Sequence, residues 1–287
     1  MRMGWWSNLF GRTPERGPAP GAAARADAAD VAATHVAATH MAATVREPGE
    51  RPPTRVLGVT SSGVEVRGFD APAGELVAWW HRLRAEHATT GLWPVLLGAD
   101  APTDMTSALT PEDDYDDADA LRRATAMTLR ELQELRAERL ARWREADSED
   151  EDERPGDSAP HTVEHREPVV TVAEEDGVIA LVPAAHGWQV PVILGWQGGV
   201  NYELEPVDHG VVLRDWHERY GAELVAMSGD QVLELLVDRP PTTPAEALAV
   251  AREQYDYCGD VVDQGVGTIE ALAREQAGSA SWYFWWD

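Results

Sequence analysis

Five consecutive aromatic residues close the chain, Trp282-Tyr283-Phe284-Trp285-Trp286, set between Ser281 and Asp287. Left in water they would expose apolar surface at roughly 25 cal/mol per Å². No polar residue alternates with them, so both faces are apolar, the pattern of a strand covered on both sides. The expectation is an interior rung of a sheet, sealed between helices, and much of the preceding chain reads as its cover.

Most of that cover lies after Pro168. Residues 169–173 and 178–183 flank Glu174-Glu175-Asp176-Gly177 and read as a hairpin. Residues 190–194 read as a third strand, followed by a glycine-rich loop through Trp196 to Asn201. That loop lacks the spacing and the Lys of a phosphate loop. Asp208 can cap a helix that buries Val212, Leu213, Trp216 and Tyr220 and stops at Gly221. Residues 223–227 and 232–237 read as strands across Ser228-Gly229-Asp230. Thr243-Pro244-Ala245-Glu246 is a capping box with Pro at the first helical position. Its helix reaches Tyr257, burying Leu248, Ala251, Tyr255 and Cys258. A loop over 259–267 leads to Thr268, the cap of a short helix that Gly278 ends. Helices interleaved with strands define an α/β (α+β) class: a mixed β-sheet with flanking helices and the aromatic strand buried in it.

Three parts precede this C-terminal α/β domain of residues 166–287. Residues 1–52 read as a disordered low-complexity tail, rich in Ala, Pro and Gly, with Val31-Ala32-Ala33-Thr34-His35 repeated as Val36-Ala37-Ala38-Thr39-His40. Residues 53–100 read as a hairpin around Ser61-Ser62-Gly63, a helix after Asp70 with Leu76, Trp79, Trp80, Leu83 and His87 on one face, and a strand over 92–97. Pro94 suggests an edge position or a bulge for that strand. Residues 101–165 hold an acidic loop over 112–119, a long charged helix over 119–146 and a disordered acidic linker. The helix carries a Leu129, Leu132, Leu140 and Trp143 stripe and an Arg130–Glu134 pair.

Charge narrows the partners. The chain has 24 basic residues, all Arg, against 50 acidic ones, a net −26. Residues 161–287 alone hold six Arg and 22 acids. Such a surface repels phosphate backbones, so nucleic acid and anionic membrane are poor partners, which leaves a cationic protein or peptide, metal ions, or a surface that serves only solubility. With one cysteine, Cys258, there is no intrachain disulfide and no zinc-ligand spacing. No apolar run approaches the roughly 20 residues of a membrane span, and no signal core opens the chain, so a cytoplasmic protein is expected.

Several spaced motifs resemble one family. These are His186-Gly187-Trp188, the run from Leu213 to Val225, Pro240-Pro241-Thr242, the run from Gln254 to Cys258, the run from Asp263 to Thr268, and the aromatic ending. Together they resemble the bacterial domain-of-unknown-function family numbered 4253, common in actinobacteria, over about residues 165–287. The resemblance implies a bacterial cytoplasmic protein and brings no catalytic residues with it.

Chemistry-bearing residues are sparse. His209 and His217 lie about 12 Å apart along a helix at 1.5 Å per residue, too far to share a metal ion. Carboxylates beside Cys258 raise a thiol pKa, the wrong direction for a nucleophile. Tyr255, Tyr257, Asp260, Asp263 and Gln264 concentrate between two helices, where sites often form. With His186, Trp188, Trp196, Arg214 and His217 they make a candidate aromatic-lined groove for a peptide or small ligand. The preferred reading is a noncatalytic binding module with an acidic surface, suited to an immunity or regulatory role, with no cofactor and no metal. The alternative is a small hydrolase or transferase using Asp/His or Cys/His acid–base chemistry.

Overall fold

The computed structural model describes residues 48–98, 115–146, 166–229 and 231–287. The Ala-Ala-Thr-His repeats, the acidic residues before Tyr115, the linker after Ala146 and Asp230 of the expected turn lie outside the described residues. Strands β1 (Arg55–Val59), β2 (Glu65–Ala71), β3 (Leu92–Leu97), β4 (Gly177–Pro183), β5 (Ala222–Ser228), β6 (Val232–Val237) and β7 (Ser281–Trp285) form one mixed sheet. Its order is β1-β2-β4-β3-β5-β6-β7. Helices α1 (Ala73–Thr90), α2 (Asp117–Ala126), α3 (Leu129–Ala146), α4 (Val190–Leu194), α5 (Pro206–Tyr220), α6 (Pro244–Tyr257) and α7 (Ile269–Gln276) flank it. This is an α/β fold.

Two antiparallel halves meet at the parallel β3–β5 join, where Leu96 faces Ala226. Strand β3 therefore sits inside the sheet, and Pro94 is in neither an edge strand nor a bulge. A join paired at so few positions tolerates a residue with no N–H to donate.

The aromatic ending is buried, but as the last strand of the sheet rather than an interior rung. Phe284 pairs with Leu233 and Trp282 with Leu235. Trp282, Phe284 and Trp286 are each 1% exposed, while Tyr283 on the other face is 43% exposed. A uniformly aromatic run thus behaves as an alternating one, because the polar tips of Tyr and Trp let them lie at a partly open face. The free edge is guarded at both ends. Val169 N–H donates to Ser281 Oγ, and the Cys258 thiol donates to the Trp285 carbonyl.

Local chemistry overrides the apolar pattern elsewhere. Residues 190–194 are helix α4, because Pro191 stands in the first turn with its φ already helical. Residues 171–174 form a 3₁₀ turn whose leading N–H groups donate to Glu234, so no hairpin precedes β4. The long charged helix breaks at Met127-Thr128. There Thr128 and Glu131 close a capping box, with Thr128 N–H 2.8 Å from Glu131 Oε2 and Glu131 N–H 3.3 Å from Thr128 Oγ1. Asp116 caps α2, and Asp117 is buried where Ser62 donates to it, so the acidic stretch ends as helix rather than solvated loop. Pro72, not Asp70, precedes α1. Asp70 pairs with Arg55 across the first hairpin.

Helix α5 starts at Pro206 with Glu205 as its cap and Asp208 as the returning partner, and Gly221 stops it at φ 62. Helix α6 buries Ala247, Val250, Ala251, Gln254 and Tyr257, a face rotated from the expected one, with Leu248 and Tyr255 half-buried. The expected loop over 259–267 contains a π-helical turn, Val261–Val266.

The core beneath β7 is aromatic. Trp216 stacks on Phe284 at 5.2 Å and meets Tyr257 and Trp282 edge-on at 5.4 Å each. Such pairs contribute about 0.5–1.5 kcal/mol each beyond their buried area.

Candidate functional site

The structure distributes the ten sequence-selected residues over three places. Trp196 and Tyr257 are interior. The Trp196 indole donates to the Gly229 carbonyl at 2.7 Å, and its ring lies 4.8 Å from that of His209. His209 bridges the Gly198 carbonyl through Nε2 at 2.8 Å and the Tyr257 hydroxyl through Nδ1 at 2.5 Å. A carbonyl only accepts, so Nε2 carries the proton and Tyr257 donates to Nδ1. Burial pushes His209 down to about 3 and Tyr257 well above the usual phenol value, so both are neutral.

His186, Trp188, Arg214 and His217 share a second place. The His186 ring is parallel to Trp188 at 6.1 Å and lies 5.6 Å from His217. Partial burial, then His217, His87 and Arg84, lower the His186 pKa. Arg214 lies over Trp188 at 5.9 Å, and its N–H groups serve the Ala124, Thr125 and Met127 carbonyls at the end of α2. His217 Nδ1 faces the Ala222 carbonyl at 3.2 Å.

Asp260, Gln264, Tyr255 and Asp263 form the third. Asp260 is buried and accepts from the Tyr202 hydroxyl at 2.6 Å, from Gln264 at 2.9 Å and from the Asp287 N–H at 2.9 Å. It pins the chain's last residues to the π-helical turn. The Tyr255 hydroxyl lies 3.3 Å from Asp263. Cys258 is buried, and burial raises its thiol to about 12. With His217 at a carbonyl, Cys258 at the Trp285 carbonyl and Asp260 holding three donors, no hydrogen bond joins the Asp260 carboxylate to a His or to Cys258 among the described residues. Among the described residues no group of three or more His, Cys, Asp or Glu is placed to hold a metal ion.

Sequence reasoning missed a concavity of the described residues. A cleft of about 530 Å³ opens between α2, α3 and the start of α5. Asp116, Asp119, Glu203 and Glu205 wall it, together with Arg123 and Arg139; Leu204, Pro206 and Val207 lie buried behind the wall, and Val200 is exposed at it. Both arginines face carboxylates already. Arg139 takes Asp208 with two N–H groups at 3.1 Å each and reaches Glu205 at 3.4 Å, and Arg123 reaches Glu205 at 3.5 Å. Burial raises the Asp208 pKa. Glu203 has φ 56, left-handed backbone that a non-glycine residue adopts at a cost of about 1 kcal/mol or more. The useful sequence signal was Glu205 with Asp208 three residues on, a capping box that positions two acids together at a helix start.

Fold and cleft define an α/β protein with an acid-walled concave surface. Residues 178–287 match the model of the family described as a domain of unknown function (DUF4253). The match begins at β4 and runs through β7, so Glu203, Glu205 and Asp208 fall inside it and α2 and α3 outside. No curated protein and no solved structure matches the chain.

Proposed function

We propose that this protein is a noncatalytic binding module, and that the cleft between α2, α3 and α5 takes a cationic segment of a protein or peptide. One observation carries the reading: Asp116, Asp119, Glu203 and Glu205 line a concavity of about 530 Å³ whose two arginines are engaged by Glu205 and Asp208, while Asp119 pairs with Arg122. Val200, 54% exposed at the cleft, gives a bound segment an apolar side chain to pack on, and the surrounding acids fix its charge. The net charge of −26 would steer such a partner inward over several ångströms at low salt. A cytoplasmic setting goes with this reading.

Calorimetric titration of the full chain with an unstructured arginine-rich peptide, and with its glutamate counterpart, tests the proposal. Saturable binding of the first alone is expected, weakening with salt and several-fold weaker in an Asp116→Asn/Glu203→Gln chain. No binding, or binding that ignores those two substitutions, would sink it.

A further inference from the structure

Of the described side chains of helix α3, those up to Arg139, only Leu132 is fully buried, while Leu129, Leu135, Arg136 and Arg139 are half-buried, Leu129 against the core. Over these residues the apolar hold is small. Two guanidinium groups add to it. Leu132, Arg136 and Arg139 stand at i, i+4 and i+7, on one helix face. Arg136 donates to the Asp256 carbonyl near the end of α6 at 2.7 Å. Arg139 donates to both Asp208 oxygens and to the Glu203 carbonyl at 3.2 Å. Its Nε is buried with no hydrogen-bond partner among the described residues, so the fork sits imperfectly.

The two sides of this contact fall on either side of the start of the family match. Glu203, Glu205, Asp208 and Asp256 lie within the family-matching residues 178–287, and both arginines lie upstream of them. The atoms that receive the arginines are carboxylate and carbonyl oxygens, acceptors only. They suit a donor-rich cationic helix and repel an acidic one. Helix α3 also has its own start at Thr128. The end of α2 is held separately by Arg214, and α2 packs closely enough that a Cβ on Gly210 would come within 3.0 Å of Ala124. Helix α3 can therefore leave without unwinding α2.

We infer that α3 is the built-in occupant of a docking groove formed by α5, α6 and the turn at Glu203, and that a partner helix bearing a leucine and two arginines at this spacing binds there by displacing it. This rests on the reading of the adjoining cleft as a cation-binding surface, and makes α3 an internal competitor for it.

The test titrates a labelled synthetic peptide of residues 129–146 into the full chain. An Arg136→Gln/Arg139→Gln chain is expected to bind it at least tenfold more tightly than the unaltered chain, and a peptide with both arginines replaced by Gln is expected not to bind. Arg139→Lys, which keeps the charge beside Asp208 but loses the fork, should show a smaller gain. Hydrogen exchange on the unaltered chain supplies a measurement that needs no variant: α3 amides should exchange at least tenfold faster than those of α2. Equal protection of the two helices, equal affinity of folded variant and unaltered chains, or equal binding of the Gln peptide would each overturn the inference. A concentration-dependent dimer that the peptide dissolves would assign the groove to a second copy and overturn the foreign partner. If the unstructured arginine-rich peptide binds and the variants show no gain, the cleft reading stands and this one fails.

Discussion

Tyr257 donates its hydroxyl proton to Nδ1 of His209 across 2.5 Å, inside a ring of tryptophans and out of reach of water. The contact joins α5 to α6, and the other His209 nitrogen ties both to the loop at Gly198. Tyr257→Phe keeps the ring packing and removes the donor, leaving Nδ1 buried without a partner. The expected loss is about 1–3 kcal/mol, read from urea unfolding. No loss would mean the bond contributes nothing net.

The same pair sets the acid behaviour of the fold. Burial holds His209 at about 3, below the ordinary value of 6.5. Between those values the unfolded chain takes up a proton there and the folded chain does not, so stability falls as pH drops from 6.5 towards 3. The slope from this one group is at most about 1.4 kcal/mol per pH unit. A folded His209→Gln chain should show a shallower decline over pH 4–6 in denaturant titrations. An unchanged slope would assign the acid sensitivity to other groups.

Glu234 titrates with the opposite sign. It lies on β6 at 1% exposure, and burial raises its carboxyl to about 7 despite bonds from Thr171 and the Val172 N–H. The folded chain keeps this proton above pH 4.5, where the unfolded chain loses it. Stability from this group is therefore full below 4.5 and declines as pH rises through about 7. Glu234→Gln should be more stable than the unaltered chain at pH 8, by about 1–3 kcal/mol, with the gap closing at pH 5. A pH-independent difference would contradict the assignment.

Strands and caps were legible wherever their signal was local. The capping box at Thr243, the cap at Thr268 and the stop at Gly221 depend on a few adjacent residues, and all three stand where the spacing puts them. Residues 190–194 misled because a short apolar run fits strand and buried helix alike, and Pro191 decided between them. The place of β7 at the sheet's end was not legible, since strand order depends on which distant strand arrives, and β3 inserting between β4 and β5 leaves no local trace. The cleft was illegible for the same reason. Its walls come from residues near 116–139 and 197–207, distant in the chain and brought together by Arg139 and Tyr115. What was legible in the selected ten was their chemistry: aromatic and polar side chains rich in contacts, several of them spent on the interior.

Gln254 has an avoidable cost in the core. It is fully buried on α6, and neither its amide nitrogen nor its carbonyl oxygen has a hydrogen-bond partner. Transferring an amide out of water without compensation is unfavourable by about 1–3 kcal/mol in proteins. Gln254→Met keeps the length and flexibility of the side chain and removes both polar atoms, so it should raise the urea midpoint. A lower midpoint would show that Gln254 is satisfied in solution.

Glu203 separates stability from binding in one position. Its left-handed backbone is strained for a residue with a Cβ, and its exposed carboxylate faces the cleft. Glu203→Gly relieves the strain and keeps the carbonyl that accepts from Arg139, so the fold should gain about 0.5–1 kcal/mol. The same change removes one of four cleft carboxylates, so affinity for an arginine-rich peptide should fall several-fold. Glu203→Gln keeps the strained backbone and removes only the charge, and should weaken binding equally with no gain in stability. A site selected for its charge would show that split between the two variants; a residue placed by the fold alone would show the gain in stability and no change in peptide affinity.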